Sequence, residues 1–106
     1  MVTKLPDELA ECTGFEWDDG NADKNWELHQ VSRGEAEDTF FNKPFVIAPD
    51  LRHSKKEPRY AALGVTSAGR KLTVIFTVRR SLIRIISVRD MSRQERRVYD
   101  QASSKK

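Results

Sequence analysis

The sequence predicts an α+β fold: two N-terminal helices, an antiparallel sheet of about four strands, and a C-terminal helix. Three observations predict it. Leu72 to Arg89 reads LTVIFTVRRSLIRIISVR, two runs of β-branched and apolar residues separated by Arg79, Arg80 and Ser81, the composition of two adjacent strands joined by a short turn. Upstream, Asp18 and Ser32 each stand where a helix N-cap belongs, and Glu35 completes a capping box with Ser32. Downstream, Ser92 and Glu95 repeat the capping-box signature. Helices kept apart from a run of closely linked strands indicate α+β rather than an alternating α/β order.

Taken in order, residues 1–14 read as a loose leader interrupted by Pro6 and Gly14, with a short helix at Pro6 to Cys12 favoured by a first-turn proline followed by acids. Phe15, Glu16 and Trp17 form an extended entry. The helix from Asp18 to Leu28 sets Trp17, Asn21, Asn25 and Leu28 along one side, with Trp17 and Trp26 as packing residues and His29 at its end. Gly20 weakens it by about 1 kcal/mol relative to Ala. A second helix, 32 to 41, turns Ala36, Thr39 and Phe40 inward until Asn42, Lys43 and Pro44 stop it. Phe45 to Ala48 is a short strand cut by Pro49, and Asp50 to Pro58 a polar loop carrying His53.

The strand from Arg59 to Thr66 alternates Tyr60, Ala62 and Gly64 against Ala61, Leu63 and Val65. It ends in a hairpin turn, Ser67 to Arg70, where Gly69 supplies the left-handed position. In the first central strand Leu72, Val74, Phe76 and Val78 share one face, and Ile75 lies between Thr73 and Thr77 on the other. Strict alternation in the second sets Ile83 and Ile85 against Leu82, Ile86 and Val88. Strands apolar on both faces belong in a sheet covered on both sides. The last helix, SRQERRVYDQASSKK, offers only Val98, Tyr99 and Ala102 as a narrow apolar stripe. A helix so polar is weakly held by its own domain or is completed by a partner.

A chain of 106 residues fits one domain, and the N-terminal MVTKLPDELAECTG, with one lysine and no apolar block, is not a secretion signal. No apolar run reaches the roughly 18 residues of a membrane span. Cys12 is the single cysteine, which excludes an internal disulfide and suits a reducing, cytoplasmic setting. No Cys/His cluster has zinc-ligand spacing, so a structural metal is not expected, and no cofactor is implied. The net charge of +3 hides an asymmetry. Residues 1–53 hold five Lys/Arg against twelve Asp/Glu, and residues 54–106 hold fourteen against four. A basic half of this kind suits phosphate, and so nucleic acid; the competing reading is a solvated face balanced by the acidic half. Arg84, among isoleucines and leucines, needs either a carboxylate partner or an anionic ligand.

One ordered set of residues resembles the BrnT family of bacterial toxins. It runs Phe15-Glu16-Trp17-Asp18, Asn25, His29, Val31-Ser32, Glu35-Ala36, Asp50, His53, Arg59-Tyr60, Ala62-Leu63-Gly64, Phe76-Thr77, Arg84-Ile85-Ile86-Ser87, Arg89, Glu95-Arg96 and Tyr99. The resemblance spans about Phe15 to Gln101 and implies one toxin domain over residues 15–106. It implies a RelE-like fold, a small ribonuclease of a type II toxin–antitoxin module, and inhibition of translation. The implied partner is a BrnA-like ribbon-helix-helix antitoxin, with operator DNA bound only through the antitoxin and no membrane involved. Asn21 stands where the family often carries a lysine, with Lys24 one turn further on. A non-catalytic nucleic-acid-binding or antitoxin-binding corepressor is therefore the competing reading.

Metal-free RNA cleavage must deprotonate a 2′-hydroxyl, neutralise a phosphorane and protonate the leaving oxygen. Histidine suits both proton steps, and arginine gives forked, permanent charge for phosphate. The candidates are Arg84 and Arg59 as holders of the scissile phosphate with Arg89 nearby, His29 as general acid or base, and His53 as the second histidine. Lys24, Arg79 and Arg80 would contact RNA, and Tyr60 or Tyr99 would stack a base. The competing structural readings are His29 as a helix terminator, His53 as a turn residue, and Arg84 paired with an acid such as Glu16 or Glu35.

Overall fold

The computed structural model describes residues 7–49 and 59–104. Its elements are α1 (Asp7–Ala10), β1 (Gly14–Trp17), α2 (Asp19–His29), α3 (Arg33–Asp38) with a 3-10 turn Thr39–Phe41, β2 (Val46–Pro49), β3 (Tyr60–Val65), β4 (Lys71–Arg79), β5 (Leu82–Asp90) and α4 (Arg93–Ser104). The strands form one sheet in the order β1-β5-β4-β3-β2. The four expected strands pair antiparallel, as read from the sequence. The extended entry becomes a fifth strand, running parallel to β5 from Gly14↔Leu82 to Trp17↔Ile85.

Local signals explain most element boundaries. Asp18 is extended and accepts hydrogen bonds from the backbone N–H groups of Gly20 and Asn21, which starts α2. Gln30 closes it in the left-handed conformation. Ser32 and Glu35 form the reciprocal capping box of α3. The β4–β5 connection is a two-residue turn, Arg80–Ser81, with φ of 55° and 64°, whose twist matches that of the flanking strands. Gly64 is needed for another reason: a Cβ there would lie 3.0 Å from Cβ of Thr39 and 3.1 Å from the Phe45 ring.

The core lies between the sheet and α2–α3. Val74, Phe76, Ile83, Ile85 and Val88 are buried together with Val31 and Ala36, and Phe15, Phe40, Phe45 and Tyr60 pack around them. Within the expected leader, Leu9 of α1 is buried in this cluster. Trp17 donates its indole N–H to Glu37, 2.7 Å, while the Arg33 guanidinium lies over its ring.

Three expectations are corrected. Strict alternation fails in β5, because the ladder shifts register at Ile75/Phe76: Ile75 faces Ser87 while Phe76 faces Ile85, leaving Ile86 as the extra residue. Val88 thereby joins Ile83 and Ile85 in the core. Leu28 and Trp26 are exposed rather than packed, because α2 meets the sheet through Asn25. β1 ends at Trp17, so the upper part of β5 has no strand beside it, and Asn25 Oδ1 accepts the Val88 N–H at 3.2 Å in place of a strand carbonyl. The Asn25 Nδ2 is buried with no hydrogen-bond partner. Finally, α4 is not loosely held. Tyr99 is buried and donates to the Pro44 carbonyl at 2.7 Å, Lys71 pairs with Asp100 at 2.7 Å, and Glu95 meets Arg89. A few polar ties along the helix compensate for a narrow apolar stripe.

Candidate nucleic-acid interface

The register sorts the arginines. Thr73, Ile75, Thr77 and Arg79 occupy the face of β4 opposite the core. Thr77 pairs with Arg84 and Thr73 with Arg89, so both arginines lie on that same face. They are five residues apart in the chain, and without the extra residue at Ile86 they would point to opposite sides. Tyr60 pairs with Phe76, and one further step of the same register sets Arg59 opposite Thr77. Glu16 pairs with Arg84 on the other side. The row Glu16–Arg84–Thr77 thus lies across the sheet, with Arg79 two residues beyond Thr77 and Arg59 just ahead of β3.

Each arginine sits in a different environment. Arg84 has 24% of its side chain exposed and touches two carboxylates, Glu16 at 4.0 Å and Asp18 at 3.5 Å. These separations are too long for a tight fork, so donors of the guanidinium stay available. Asp18 serves twice: Oδ1 caps α2 and Oδ2 faces Arg84. Arg59 is half-buried just before β3. Arg89 is fully committed to Glu95, with Nη1 to Oε1 at 2.7 Å and Nη2 to Oε2 at 3.0 Å. Glu95 also accepts from Thr73 Oγ1 and the Ser92 N–H. The Arg89 guanidinium, more than the Ser92 and Thr73 donors, holds the Glu95 carboxyl down at about 2. Arg79 and Arg80 are exposed at the end of the hairpin.

α4 covers the part of this face around Leu63 and Thr73. Between helix and sheet a groove of about 330 Å³ remains, floored by Ala61, Leu63 and Thr73 and walled by Val98, with Gln94 and Glu95 on its edge. The same face continues from it through the Ile75–Ser87 pair to the Thr77–Arg84 pair.

Other expected site residues are not brought there. His29 ends α2, whose opposite end is capped by the Asp18 that touches Arg84; an 11-residue helix separates them by about 16 Å. The His29 carbonyl instead accepts from Arg70 Nη2. The structure therefore does not bring His29 and Arg84 together. The Tyr60 ring stacks on Phe76 at 5.4 Å on the core face and is half-buried, and Tyr99 is 3% exposed. Lys24 is exposed on α2. His53 lies outside the described residues. Among the described residues no group of three His, Cys, Asp or Glu side chains could hold a metal ion. Nor is any described helix long and apolar enough to cross a membrane.

Arg70 escaped sequence reasoning altogether. From the β3–β4 turn it donates to Asp90 at 2.8 and 3.1 Å, to Glu35 at 3.2 Å, and to the carbonyls of Gln30 and His29 at 2.9 and 3.0 Å. It lowers the Asp90 carboxyl and contributes to lowering that of Glu35, which responds first to the Ser32 N–H. No spacing in the chain marks it, because its partners lie 20 to 41 residues away. Glu16 was named only as a structural partner of Arg84, and its place in the arginine row follows from the parallel pairing of β1.

Comparison with known proteins agrees with this architecture. Residues 17–95 match the family model described as "Ribonuclease toxin, BrnT, of type II toxin-antitoxin system". Among solved structures, the 1.1 Å crystal structure of the ribonuclease toxin BrnT from Brucella abortus is similar at a TM-score of 0.55 and 20% identity. The match covers 76% of this chain and 97% of that one. A search of curated proteins gives no match.

Proposed function

Because the chain belongs to the BrnT family of ribonuclease toxins of type II toxin–antitoxin systems, we propose that it is a metal-independent endoribonuclease that inhibits translation until a BrnA-like ribbon-helix-helix antitoxin binds it. In this reading the toxin works in the cytoplasm, and the complex reaches operator DNA through the antitoxin alone. The observation that carries the catalytic part is the row Glu16–Arg84–Thr77 with Arg59 beside it. It sets fixed positive charge on rigid strands next to a carboxylate.

The chemistry follows from that row. Arg84 and Arg59 would grip the non-bridging oxygens of the scissile phosphate and neutralise the charge that grows in the phosphorane. Glu16, beside Arg84, is the carboxylate within reach of a 2′-hydroxyl held there, and takes its proton. The oxygen then attacks phosphorus, the bond to the 5′-oxygen breaks, and the products are a 2′,3′-cyclic phosphate and a 5′-hydroxyl. His53, in the connection that runs into Arg59, is the candidate donor to the leaving oxygen. Arg79 and Arg80 would hold flanking phosphates, as would Lys24 from α2. Arg89 serves Glu95 and α4 rather than the phosphate.

The test uses the purified chain in EDTA with an end-labelled single-stranded RNA and a copy carrying 2′-deoxy sugars. Cleavage of the RNA alone, leaving cyclic phosphate ends, is expected. Arg84→Ala should slow it by about a hundredfold or more while the protein stays folded. Cleavage by a folded Arg84→Ala protein at the original rate would refute the phosphate role. Salt-dependent RNA binding with no product in the original chain would favour the non-catalytic reading, for which the carboxylates on Arg84 and the asparagine at position 21 are the specific observations.

A further inference from the structure

We propose that the groove between α4 and the sheet is a nucleobase subsite that receives the base next to the scissile phosphate, with Gln94 reading that base. The inference rests on the RNA-cleaving reading above and adds to it a site for sequence preference.

Position argues for it first. The groove floor includes Ala61, which pairs with Ile75, two residues along β4 from Thr77, and Thr77 pairs with Arg84. Two residues of strand span about 7 Å. A base whose phosphate lies on Arg84 therefore has the reach to enter the groove, and the half-buried pair Ile75–Ser87 is the ladder step between them on that face.

Size and lining argue for it next. A volume of about 330 Å³ suits a planar heterocycle with part of its ribose. Ala61, Leu63, Val46 and Val98 give apolar walls for the faces of a ring, which suits the uncharged part of a nucleotide. The polar groups stand at one edge. Glu95 and the Thr73 hydroxyl are occupied with Arg89 and with each other. The Gln94 carboxamide is exposed at the edge, offering both a donor and an acceptor. A carboxamide can make paired hydrogen bonds to a base edge, and single-stranded RNA presents such edges. The charge pattern is complementary as well, since arginines lie on the phosphate side and none lines the groove itself.

Two variants test this. Gln94→Ala removes the edge contact from an exposed helical turn, and Ala61→Phe fills the floor. Cut sites on a random-sequence RNA pool are mapped for all three proteins, with urea midpoints as a control for folding. The original chain should prefer one class of base beside the cut. Gln94→Ala should reduce that preference by about fivefold or more, and Ala61→Phe should raise KM and redistribute the sites. An unchanged cut-site profile in a folded Gln94→Ala protein overturns the proposal. So does a loss confined to antitoxin binding, which would make the groove a protein-docking surface.

A titration with the four 3′-mononucleotides, followed by backbone amide shifts, separates the two levels of inference. Shifts at Ala61, Leu63 and Val98 that Gln94→Ala alters support the subsite even if the original chain cuts nothing. Cleavage without such shifts overturns the subsite and leaves the ribonuclease standing.

Discussion

Glu95→Gln tests what holds α4 to the sheet. In the folded protein the Glu95 carboxyl is lowered from 4.5 to about 2, first by the Arg89 guanidinium, then by the Ser92 N–H and the Thr73 hydroxyl. At about 1.4 kcal/mol per pH unit this difference is worth about 3 kcal/mol, trimmed to about 2–3 by residual solvent contact. The side chain is 27% exposed, which keeps the reduction small. A lowered carboxyl stabilises the fold above its unfolded value, and that stability drains as pH falls from 4.5 toward 2. At pH 3 about 1 kcal/mol of it should remain. Glutamine keeps the shape and loses the charge. The stability gap between the original chain and Glu95→Gln should therefore narrow by about 1–2 kcal/mol between pH 7 and pH 3. Urea unfolding followed by tryptophan fluorescence at the two pH values measures the gap. An equal gap at both would refute the reasoning and leave α4 held by its apolar contacts, the Tyr99–Pro44 hydrogen bond and the Lys71–Asp100 pair.

Arg70→Ala should lower stability by about 2–4 kcal/mol, because it strips donors from two carboxylates and two carbonyls at once. Arg70→Lys should recover little of that, since an ammonium cannot span the same partners, and calorimetric midpoints would show both effects. Gly64→Ala should cost about 1–3 kcal/mol by forcing a methyl against Thr39 and Phe45, measurable as a lower urea midpoint. For the proposed antitoxin, the exposed Arg93 and Arg97 of α4 are the test residues. Reversing Arg93 and Arg97 to glutamate, and leaving Arg96 beside Asp90, should weaken capture of the antitoxin without moving the urea midpoint, and equal affinity would remove this part of α4 from that interface. Deleting α4 would not be informative, because Tyr99 is part of a core cluster.

Much of the fold was legible in the chain. The caps at Asp18, Ser32 and Ser92 are local interactions within three residues, so the types of the neighbouring residues suffice to place them. Alternation in β3 and β4 is equally local, and the faces read from it hold. The fifth strand was less legible: Phe15-Glu16-Trp17 is extended in isolation, and only its parallel partner 68 residues away makes it part of the sheet. The distance of His29 from Arg84 was not legible, because helix length, not residue type, decides which end of α2 meets Arg84.

The sequence by itself determined the element types, the β3–β4 and β4–β5 turns and the concentration of arginine in the second half, since each depends on short-range backbone preference or on composition. Tertiary structure alone decided which arginines lie together. Arg84 and Arg89 share a face because one extra residue at Ile86 resets the parity of β5. Arg84 meets Glu16 because β1 lies parallel beside it, while Arg89 is withdrawn to Glu95 because α4 folds back onto the sheet. Register, strand order and helix docking arise from contacts distant in sequence, and a period-two reading of one strand cannot contain them.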